Sequence, residues 1–367
     1  MHIFKRSNYG FGSLHVVFEG GSSIDPIGKR GMTHLVEHLM CSNTDCMQVK
    51  LYESGIDLNA QTSMFGTEFY MKGLDDSIMG QGVTFLRKLL GKPQWDEDFF
   101  ETEKKVVLQE YGEAVAGYAF TLNVQRKYYG LCDALGIRKE IESITYGEAL
   151  QFVKDHFKKP TRIVQLGAHK LDLGFVSYLP SPGDLRAPIE KRGKVPLEKE
   201  KPTEAPTVLL CSRQEVPDSE YHLVAFIASM LANGLDSPLM TEVRGKRGLA
   251  YGAGIDLMLY AESFSIVLGG STNKAGAKEL LEVLKEFLGN VSTHMSKKRF
   301  DSTKKHMQSS RKAKELSGMR NSHLLYDGRR DQYKWLDQTT YREVVKAAKK
   351  WLNPEKFEGY IEGATKW

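Results

Sequence analysis

Cysteine is scarce and scattered in this sequence. The chain has four cysteines among its 367 residues, at positions 41, 46, 132 and 211, and no two of them form a C-x-x-C pair. This distribution argues against a disulfide framework and against a thiolate zinc knuckle. Cys41 comes one helical turn after His38, and we interpret it as a buried thiol rather than as a metal ligand.

Long apolar runs are also missing. No stretch approaches the length of about 20 apolar residues that crosses a bilayer, so the sequence predicts neither a transmembrane helix nor a membrane partner. The first residues, Met1–Ser7, contain no apolar signal core ahead of a small-residue cleavage site. These features favour a cytoplasmic protein, although a chain whose presequence had been removed would look the same.

A strong excess of one charge is missing too. The 51 lysines and arginines are nearly balanced by 46 aspartates and glutamates, which leaves a formal net charge of +5. Basic residues cluster at 297–299, 304–305 and 311–314 along a predicted helix, a pattern typical of a solvated face. Because no base-reading motif accompanies these clusters, we predict no nucleic-acid partner.

The most informative stretch that the sequence does contain is His34-Leu35-Val36-Glu37-His38. Two histidines four positions apart lie one above the other on one helix face, so both imidazoles can reach one metal ion. Glu37 lies at the edge of that face, where its carboxylate could hold a metal-bound water. The order H-x-x-E-H is the inverzincin signature. The alternative is a surface helix with two solvated histidines.

The length and composition indicate two domains. A chain of 367 residues exceeds the usual size of a single core. Residues 180–206 are rich in proline and charge and have few large apolar residues, which is typical of a linker. We therefore predict an N-terminal domain over 1–179 and a C-terminal domain over 207–367.

The order of predicted elements before the linker recurs after it. The simplest interpretation is an α+β fold with two related domains, each a mostly antiparallel sheet with helices packed on it. The alternative is the loose likeness that any two α+β domains share. The predicted strands lie at 13–19, 56–62, 67–74, 162–167, 208–210, 249–255, 264–270 and 359–363. The predicted helices lie at 29–41, 47–53, 77–90, 95 to beyond 113, 119–158 including 144–157, 223–231, 275–288, 297–314 and 339–352.

Two histidines leave a catalytic zinc ion one protein ligand short, because such a site generally has three plus an open position for water. A predicted helix carries four glutamates, Glu101, Glu103, Glu110 and Glu113. Glu103 and Glu110 are seven positions apart and face the same side, so one could bind metal while the other hydrogen-bonds to a ligand. The spacing does not choose between them.

Several stretches together resemble the pitrilysin–insulinase–mitochondrial processing peptidase family. These are the H-L-V-E-H motif, G-I-D-L-N-A-Q-T-S at 55–63, E-K-K-V-V-L-Q-E at 103–110 and R-G-K-R-G-L-A-Y at 244–251. The predicted helices near residues 144 and 340 resemble the closing helices of the two family domains. The likeness covers nearly the whole chain in matching order, and it implies a short two-domain member that forms half of a clam-shell.

The resemblance implies a role for each matching residue. It implies that His34 and His38 bind one zinc ion per chain with Glu110 as the distal ligand, and that Glu37 is the general base. Glu103 matches the second acidic residue of the family, Asn59 and Ala60 fall on the strand that holds the substrate backbone, and Arg244 and Tyr251 match the pair that reaches the scissile peptide. The interval from His38 to Glu110 is slightly shorter than is usual in the family, which implies that a loop between them is trimmed.

The predicted function is therefore a zinc-dependent endopeptidase that acts on extended peptides or unfolded segments. The resemblance also implies a homodimer with two active sites, each completed in trans by Arg244 and Tyr251. A catalytically silent structural or assembly subunit of the same fold is the alternative, as is a non-catalytic partner in a heterodimer. Such relatives usually lack part of the zinc set or the Arg/Tyr pair, whereas this chain has a suitable residue at every position.

Overall fold

The computed structural model describes residues 1–6, 10–42, 52–129, 133–179, 195–201, 203–259, 263–316 and 335–365. The chain forms two compact units, of which unit 1 comprises Met1–Glu198 and unit 2 begins at Lys199. Most of the predicted linker over 180–206 lies outside the described residues. Among the residues that are described, no helix combines the length and the apolar character needed to span a bilayer.

Unit 1 is built on a five-stranded sheet with the strand order β1-β5-β2-β4-β3. All neighbouring pairs are antiparallel except β1 and β5, which are parallel. Alternating apolar side chains of β2, Leu14, Val16 and Phe18, are buried on the face that packs against the helices. The strands are β1 (His2–Arg6), β2 (Phe11–Glu19), β3 (Ile56–Thr62), β4 (Gly66–Leu74) and β5 (Arg162–Gly167).

Five helices of unit 1 lie among the described residues: α1 (Met32–Ser42), α2 (Asp75–Leu89), α3 (Glu97–Tyr129), α4 (Arg138–Glu142) and α5 (Tyr146–His156). The long helix α3 is interrupted at Tyr118, whose backbone angles of φ −133° and ψ 15° are not helical. Gly117, which restrains the backbone least, comes directly before this break. Glu198 bridges the break, because its carboxylate accepts hydrogen bonds from Tyr111 on one side and from Arg126, at 2.6 Å, on the other.

Unit 2 has a second sheet of five strands, in which β6 pairs with β10 and β9, and β9 also pairs with β7 and β8. Every pair is antiparallel. The strands are β6 (Thr207–Ser212), β7 (Val216–Pro217), β8 (Ala253–Leu259), β9 (Ser263–Ser271) and β10 (Phe357–Ile361). The strand predicted at 249–255 begins at Ala253 instead, because its pairing with β9 extends from Ala253 to Leu259.

Helix α8 of unit 2 (Ala277–Gly289) buries one apolar stripe. In α8, the buried residues Leu280, Val283, Leu284, Phe287 and Leu288 recur at helical spacing. The described helices of this unit are α6 (Tyr221–Ala232), α7 (Pro238–Met240), α8 (Ala277–Gly289), α9 (Val291–His294), α10 (Lys297–Leu316) and α11 (Tyr341–Trp351), and a π-helical turn, Thr241–Lys246, follows α7. The predicted α+β class with mostly antiparallel sheets is confirmed.

Candidate metal centre

The helix α1 that carries the H-x-x-E-H motif is held at its start by Asp25. The Asp25 carboxylate accepts hydrogen bonds from the backbone N–H of Gly31 at 2.7 Å and of Thr33 at 2.8 Å, and from the Thr33 hydroxyl at 2.6 Å. These contacts satisfy donors that the first turn of a helix leaves unpaired. Gly31 has φ +103°, and a Cβ there would lie 2.5 Å from the Ile141 side chain. The loop and its glycine therefore set where the motif helix begins.

His34 and His38 lie one turn apart on the same face of α1. Their ring centroids are 4.9 Å apart and the ring planes are nearly perpendicular, at 81°. Only 14% of the His34 side chain and 17% of the His38 side chain are exposed. The two imidazoles thus converge in a partly buried pocket, as expected for histidines four positions apart on a helix.

Helix α3 brings Glu110 to this pair. Glu110 Oε2 lies 3.6 Å from His34 Nε2 and 3.5 Å from His38 Nε2, and the three donor atoms lie within 4.8 Å of one another. Glu103 takes a different position, with its Oε2 3.4 Å from His38 Nδ1, on the opposite side of that ring. The two glutamates that the spacing could not distinguish therefore contact different nitrogens of the same histidine.

Burial controls the charge of His34. Removal from water, and secondarily the nearby His38, lower the pKa of His34 from 6.5 to about 4. The imidazole is therefore neutral at physiological pH, which is the form that binds a metal ion. Its Nδ1 is buried and makes no hydrogen bond to any of the described residues.

Glu37, the one acidic residue of the motif, is buried, with 8% of the residue exposed. Burial raises its pKa above the usual 4.5, while His38 and a hydrogen bond from Thr62 act in the opposite direction. The Thr62 hydroxyl donates to Glu37 Oε2 at 3.0 Å. Thr62 is not among the site residues predicted from the sequence. The alternation of side chains along β3 could have indicated it, because it places Leu58, Ala60 and Thr62 on one face.

Asn59 and Ala60 lie in β3, the strand at one edge of the unit 1 sheet. Asn59 is exposed and Ala60 is partly buried. The Asn59 side chain covers the neighbouring backbone, since its Oδ1 accepts a hydrogen bond from the Ala60 N–H at 2.8 Å. Among the described residues no strand pairs with β3 on the side away from β4, and the Ala60 N–H on this strand is hydrogen-bonded to the exposed Asn59 side chain.

Arg244 and Tyr251 belong to unit 2 and lie together. Arg244 is part of the π-helical turn after α7, and its guanidinium carbon is 4.7 Å from the centroid of the Tyr251 ring. The Tyr251 residue is 84% exposed. The pair thus presents a cation and a phenol side by side at the surface of unit 2, a combination suited to binding a developing negative charge.

The donor set of α1 and α3 fits a zinc ion. Two imidazole nitrogens and one carboxylate oxygen form one of the ligand sets of catalytic zinc, in which a fourth position remains for water or substrate. Ligand atoms about 2.1 Å from a tetrahedral zinc ion lie about 3.4 Å from each other. The separations of 3.6 Å and 3.5 Å between Glu110 Oε2 and the two Nε2 atoms agree with this geometry.

Comparison with known protein families finds two matching models. A model described as insulinase, peptidase family M16, matches residues 5–130. A model described as the peptidase M16 inactive domain matches residues 143–307. The first range contains the H-x-x-E-H motif and both glutamates, and the second contains Arg244 and Tyr251.

Individual relatives of this chain also carry the names of peptidases. The beta subunit of the mitochondrial-processing peptidase of Saccharomyces cerevisiae is 26% identical over 172 residues, which cover 44% of this chain and 37% of that subunit. The match therefore spans little more than a third of the yeast protein. A Bacillus subtilis protein named uncharacterized zinc protease YmxG is 23% identical over 305 residues, covering 76% of this chain and 73% of that protein.

The fold also has counterparts among solved structures. A protease from Helicobacter pylori superposes on 98% of this chain and 96% of its own, with a TM-score of 0.75 and 16% sequence identity. At that identity the likeness shows a shared fold.

Proposed function

We propose that this chain, which belongs to the M16 or pitrilysin/insulinase family of peptidases, is a zinc-dependent endopeptidase. Its substrates would be extended peptides or unfolded segments of proteins. The observation that carries the proposal is the convergence of His34 Nε2, His38 Nε2 and Glu110 Oε2 within 4.8 Å of one another. Structural roles alone would not require two histidines and a carboxylate to share one pocket beside a buried glutamate.

His34, His38 and Glu110 would hold the zinc ion. A zinc ion bound there would supply a Lewis acid that lowers the pKa of a coordinated water and polarises the scissile carbonyl. Glu103 would support the site through the ring nitrogen of His38 that does not face the metal, because its carboxylate is 3.4 Å from His38 Nδ1. A hydrogen bond from Nδ1–H to that carboxylate fixes the tautomer in which Nε2 is free to coordinate.

Glu37 would act as the general base and then as the general acid. Its raised pKa makes the buried carboxylate a better proton acceptor than a solvated one. As the water oxygen forms a bond to the carbonyl carbon, Glu37 takes the water proton. When the C–N bond breaks, Glu37 returns that proton to the leaving amine nitrogen.

The open edge of β3 would hold the substrate backbone. A peptide that adds to this edge as a strand is bound through main-chain hydrogen bonds, so side-chain preference would be loose and the bound segment extended. The Asn59 side chain covers the Ala60 N–H, and it would have to rotate away when a substrate strand pairs there.

Arg244 and Tyr251 would stabilise the negative charge on the carbonyl oxygen. We propose a homodimer in which the pair of each chain completes the site of the other. Mixing a Glu37→Gln chain with an Arg244→Ala chain tests this arrangement. Trans completion predicts recovery of activity in the mixed dimer, since one of its two sites then contains an intact Glu37 and an intact Arg244. A mixture that remains inactive, although mixed dimers form, contradicts it.

The central experiment compares zinc content and cleavage of a quenched fluorescent peptide for the wild-type chain and Glu37→Gln. We expect both proteins to bind about one zinc ion and only the wild type to cleave. Equal residual cleavage by both would indicate a contaminating protease. A wild-type chain that neither binds zinc nor cleaves would support the alternative, a catalytically silent structural or assembly subunit.

A further inference from the structure

Thr62 connects the edge strand β3 to the buried carboxylate of Glu37. Its hydroxyl donates to Glu37 Oε2 at 3.0 Å, and the same hydroxyl oxygen lies 3.3 Å from Thr67 Oγ1, opposite it on β4. Thr67 is fully buried, with 0% exposed. Since the one proton of the Thr62 hydroxyl is directed to Glu37, Thr67 must be the donor to Thr62. The two threonines form a directed chain that ends on Glu37.

The backbone N–H and C=O of Thr62 point away from Thr67, toward the edge of the unit 1 sheet that β3 forms. The Ser63 N–H donates to the Gly66 carbonyl at 2.8 Å, and the Gly66 N–H donates to the Ser63 hydroxyl at 3.1 Å, so these two residues face each other at a hydrogen-bonded position where the β3–β4 hairpin closes. Hydrogen-bonded and non-hydrogen-bonded pairs alternate in an antiparallel ladder. The pair Thr62–Thr67 is therefore a non-hydrogen-bonded pair, and the backbone N–H and C=O of Thr62 point away from β4.

The position of Ala60 agrees with this alternation. Ala60 is two residues before Thr62 and has the same orientation, and its N–H bonds to the Asn59 side chain rather than to β4. A peptide strand added to β3 would therefore pair with the backbone of Ala60 and Thr62. Thr62 would contact the substrate through its backbone and the general base through its side chain.

We propose that Thr62 is a positioning residue that couples the addition of a substrate strand to the orientation of Glu37. This inference rests on the proposed peptidase function. A substrate strand that pairs with Thr62 restricts the motion of its backbone, and this holds the hydroxyl on Glu37 Oε2. The carboxylate then presents Oε1 to the attacking water. A misplaced general base loses rate without loss of substrate binding, because the substrate contacts are made by the backbone.

The matched variants are Thr62→Val and Thr62→Ser, tested in the full chain. Valine keeps the shape and strand preference of threonine but has no hydroxyl, whereas serine keeps the hydroxyl. For Thr62→Val we expect kcat to fall by about 10-fold to 100-fold, with KM and zinc content unchanged. For Thr62→Ser we expect a kcat close to that of the wild type. An equal loss in both variants, a change in KM alone, or no loss in Thr62→Val would overturn the inference.

A second measurement does not depend on activity. Crystal structures of the two variants without metal should show Glu37 Oε2 still hydrogen-bonded to the serine hydroxyl, and the carboxylate rotated away from the valine. A carboxylate that has the same position in both variants contradicts the positioning role. If the wild-type chain neither cleaved peptides nor bound zinc, the proposed function would fail by itself, and these structures would still decide whether Thr62 orients Glu37.

Discussion

In unit 1 four strands run in the order β5-β2-β4-β3, and in unit 2 the corresponding order is β10-β6-β9-β8. The main difference lies in the second strand. β2 is continuous and pairs along the whole of β4, whereas in unit 2 this strand is divided into β6 and β7, which pair with successive parts of β9. β1, which extends the unit 1 sheet beside β5, has no counterpart among the described residues of unit 2. The two units thus share a scaffold.

The helix that follows this strand differs in its chemistry. In α1 the sequence is His34-Leu35-Val36-Glu37-His38, and the stretch of α6 that aligns with it on the shared His-Leu-Val is His222-Leu223-Val224-Ala225-Phe226. This stretch of unit 2 keeps the first histidine but has Ala225 and Phe226 at the positions of Glu37 and His38. Phe226 is fully buried, and its ring centroid is 4.9 Å from that of Phe300 on α10. Unit 2 therefore has, at the position of the second histidine, a buried aromatic ring that packs against α10.

The long helices α3 and α10 repeat this contrast. Phe100 and Phe300 are buried at matching positions, and Lys104 and Lys304 lie over these rings at 4.8 Å and 5.9 Å. In the same alignment the positions of Glu103 and Glu110 are occupied in unit 2 by Thr303 and Ser310. The two units therefore share buried packing residues at matching positions, whereas among the described residues the cluster of two histidines and a glutamate that could hold a metal ion occurs in unit 1.

Glu37→Gln should have the largest effect. Removing the base should lower kcat by about 100-fold to 10,000-fold and leave zinc bound, because the ligands are unchanged. Activity assays with metal analysis measure both quantities. Ala225→Gln places the same side chain at the matching position of unit 2 and should leave cleavage unchanged. A comparable loss in Ala225→Gln would contradict the assignment of the chemistry to unit 1.

His38→Phe gives unit 1 the residue found in unit 2. Loss of one imidazole should weaken zinc binding by at least about 100-fold, as measured by competition with a chelator. The reciprocal change, Phe226→His, should not create a zinc site, because Thr303 and Ser310 supply no carboxylate. Tight zinc binding by unit 2 in the Phe226→His chain would show that the two pockets differ less than their side chains suggest.

Phe226→Ala should lower the free energy of unfolding by about 3–5 kcal/mol. The fully buried ring packs against Phe300, and its removal leaves a cavity. His38→Ala in the metal-free chain should cost less, about 1 kcal/mol, since the histidine lies in a polar, partly open pocket. Denaturant unfolding followed by circular dichroism compares the two. Equal losses would mean that the ligand histidine also has a packing role.

Acid should destabilise the metal-free chain through His34. Its pKa is about 4 in the folded chain and 6.5 as an ordinary histidine, so between these pH values the unfolded chain binds more protons. The free energy of unfolding should therefore fall as pH decreases from 6.5 to 4, by at most roughly 3 kcal/mol. His34→Asn should flatten this dependence in denaturant titrations across that range.

His222, the residue of unit 2 that matches His34, provides a comparison for this pH dependence. Burial also lowers the pKa of His222, against the opposing charge of Glu220, so His222→Asn should flatten the same dependence. A pH dependence that is identical in wild type and His34→Asn would contradict the burial of a neutral imidazole.

The smallest effects should come from the capping boxes of the closing helices. Thr145 and Thr340 each accept a hydrogen bond from the backbone N–H three residues later, at 3.3 Å, and Glu148 and Glu343 bond back to them. Thr145→Ala and Thr340→Ala should each cost about 1 kcal/mol, as measured by thermal or denaturant unfolding. An effect in only one unit would show that the two helices do not have equivalent roles.

The local patterns predicted most of the helices and strands, and they predicted that His34 and His38 lie on one face of a helix, because these features depend on short-range spacing. The helix over 29–41 was found at Met32–Ser42, and the strand over 162–167 was found at those residues. Spacing alone could not choose between Glu103 and Glu110, since residues seven apart share a face and only the packing of α3 against α1 separates them; the family resemblance implied Glu110. The break at Tyr118 is not marked by proline, and it was missed for that reason.

The sequence by itself determined three features, because helix periodicity and strand alternation act over a few residues. These are the common helix face of the H-x-x-E-H histidines, the common face of the two glutamates seven positions apart, and the repeated order of helices and strands. The tertiary structure decided which carboxylate approaches which imidazole nitrogen, and it brought Thr62 to Glu37. Those contacts join residues from 25 to 76 positions apart, and no local periodicity relates such residues. Their separation depends on how the sheet and two helices pack, which is a property of the whole unit.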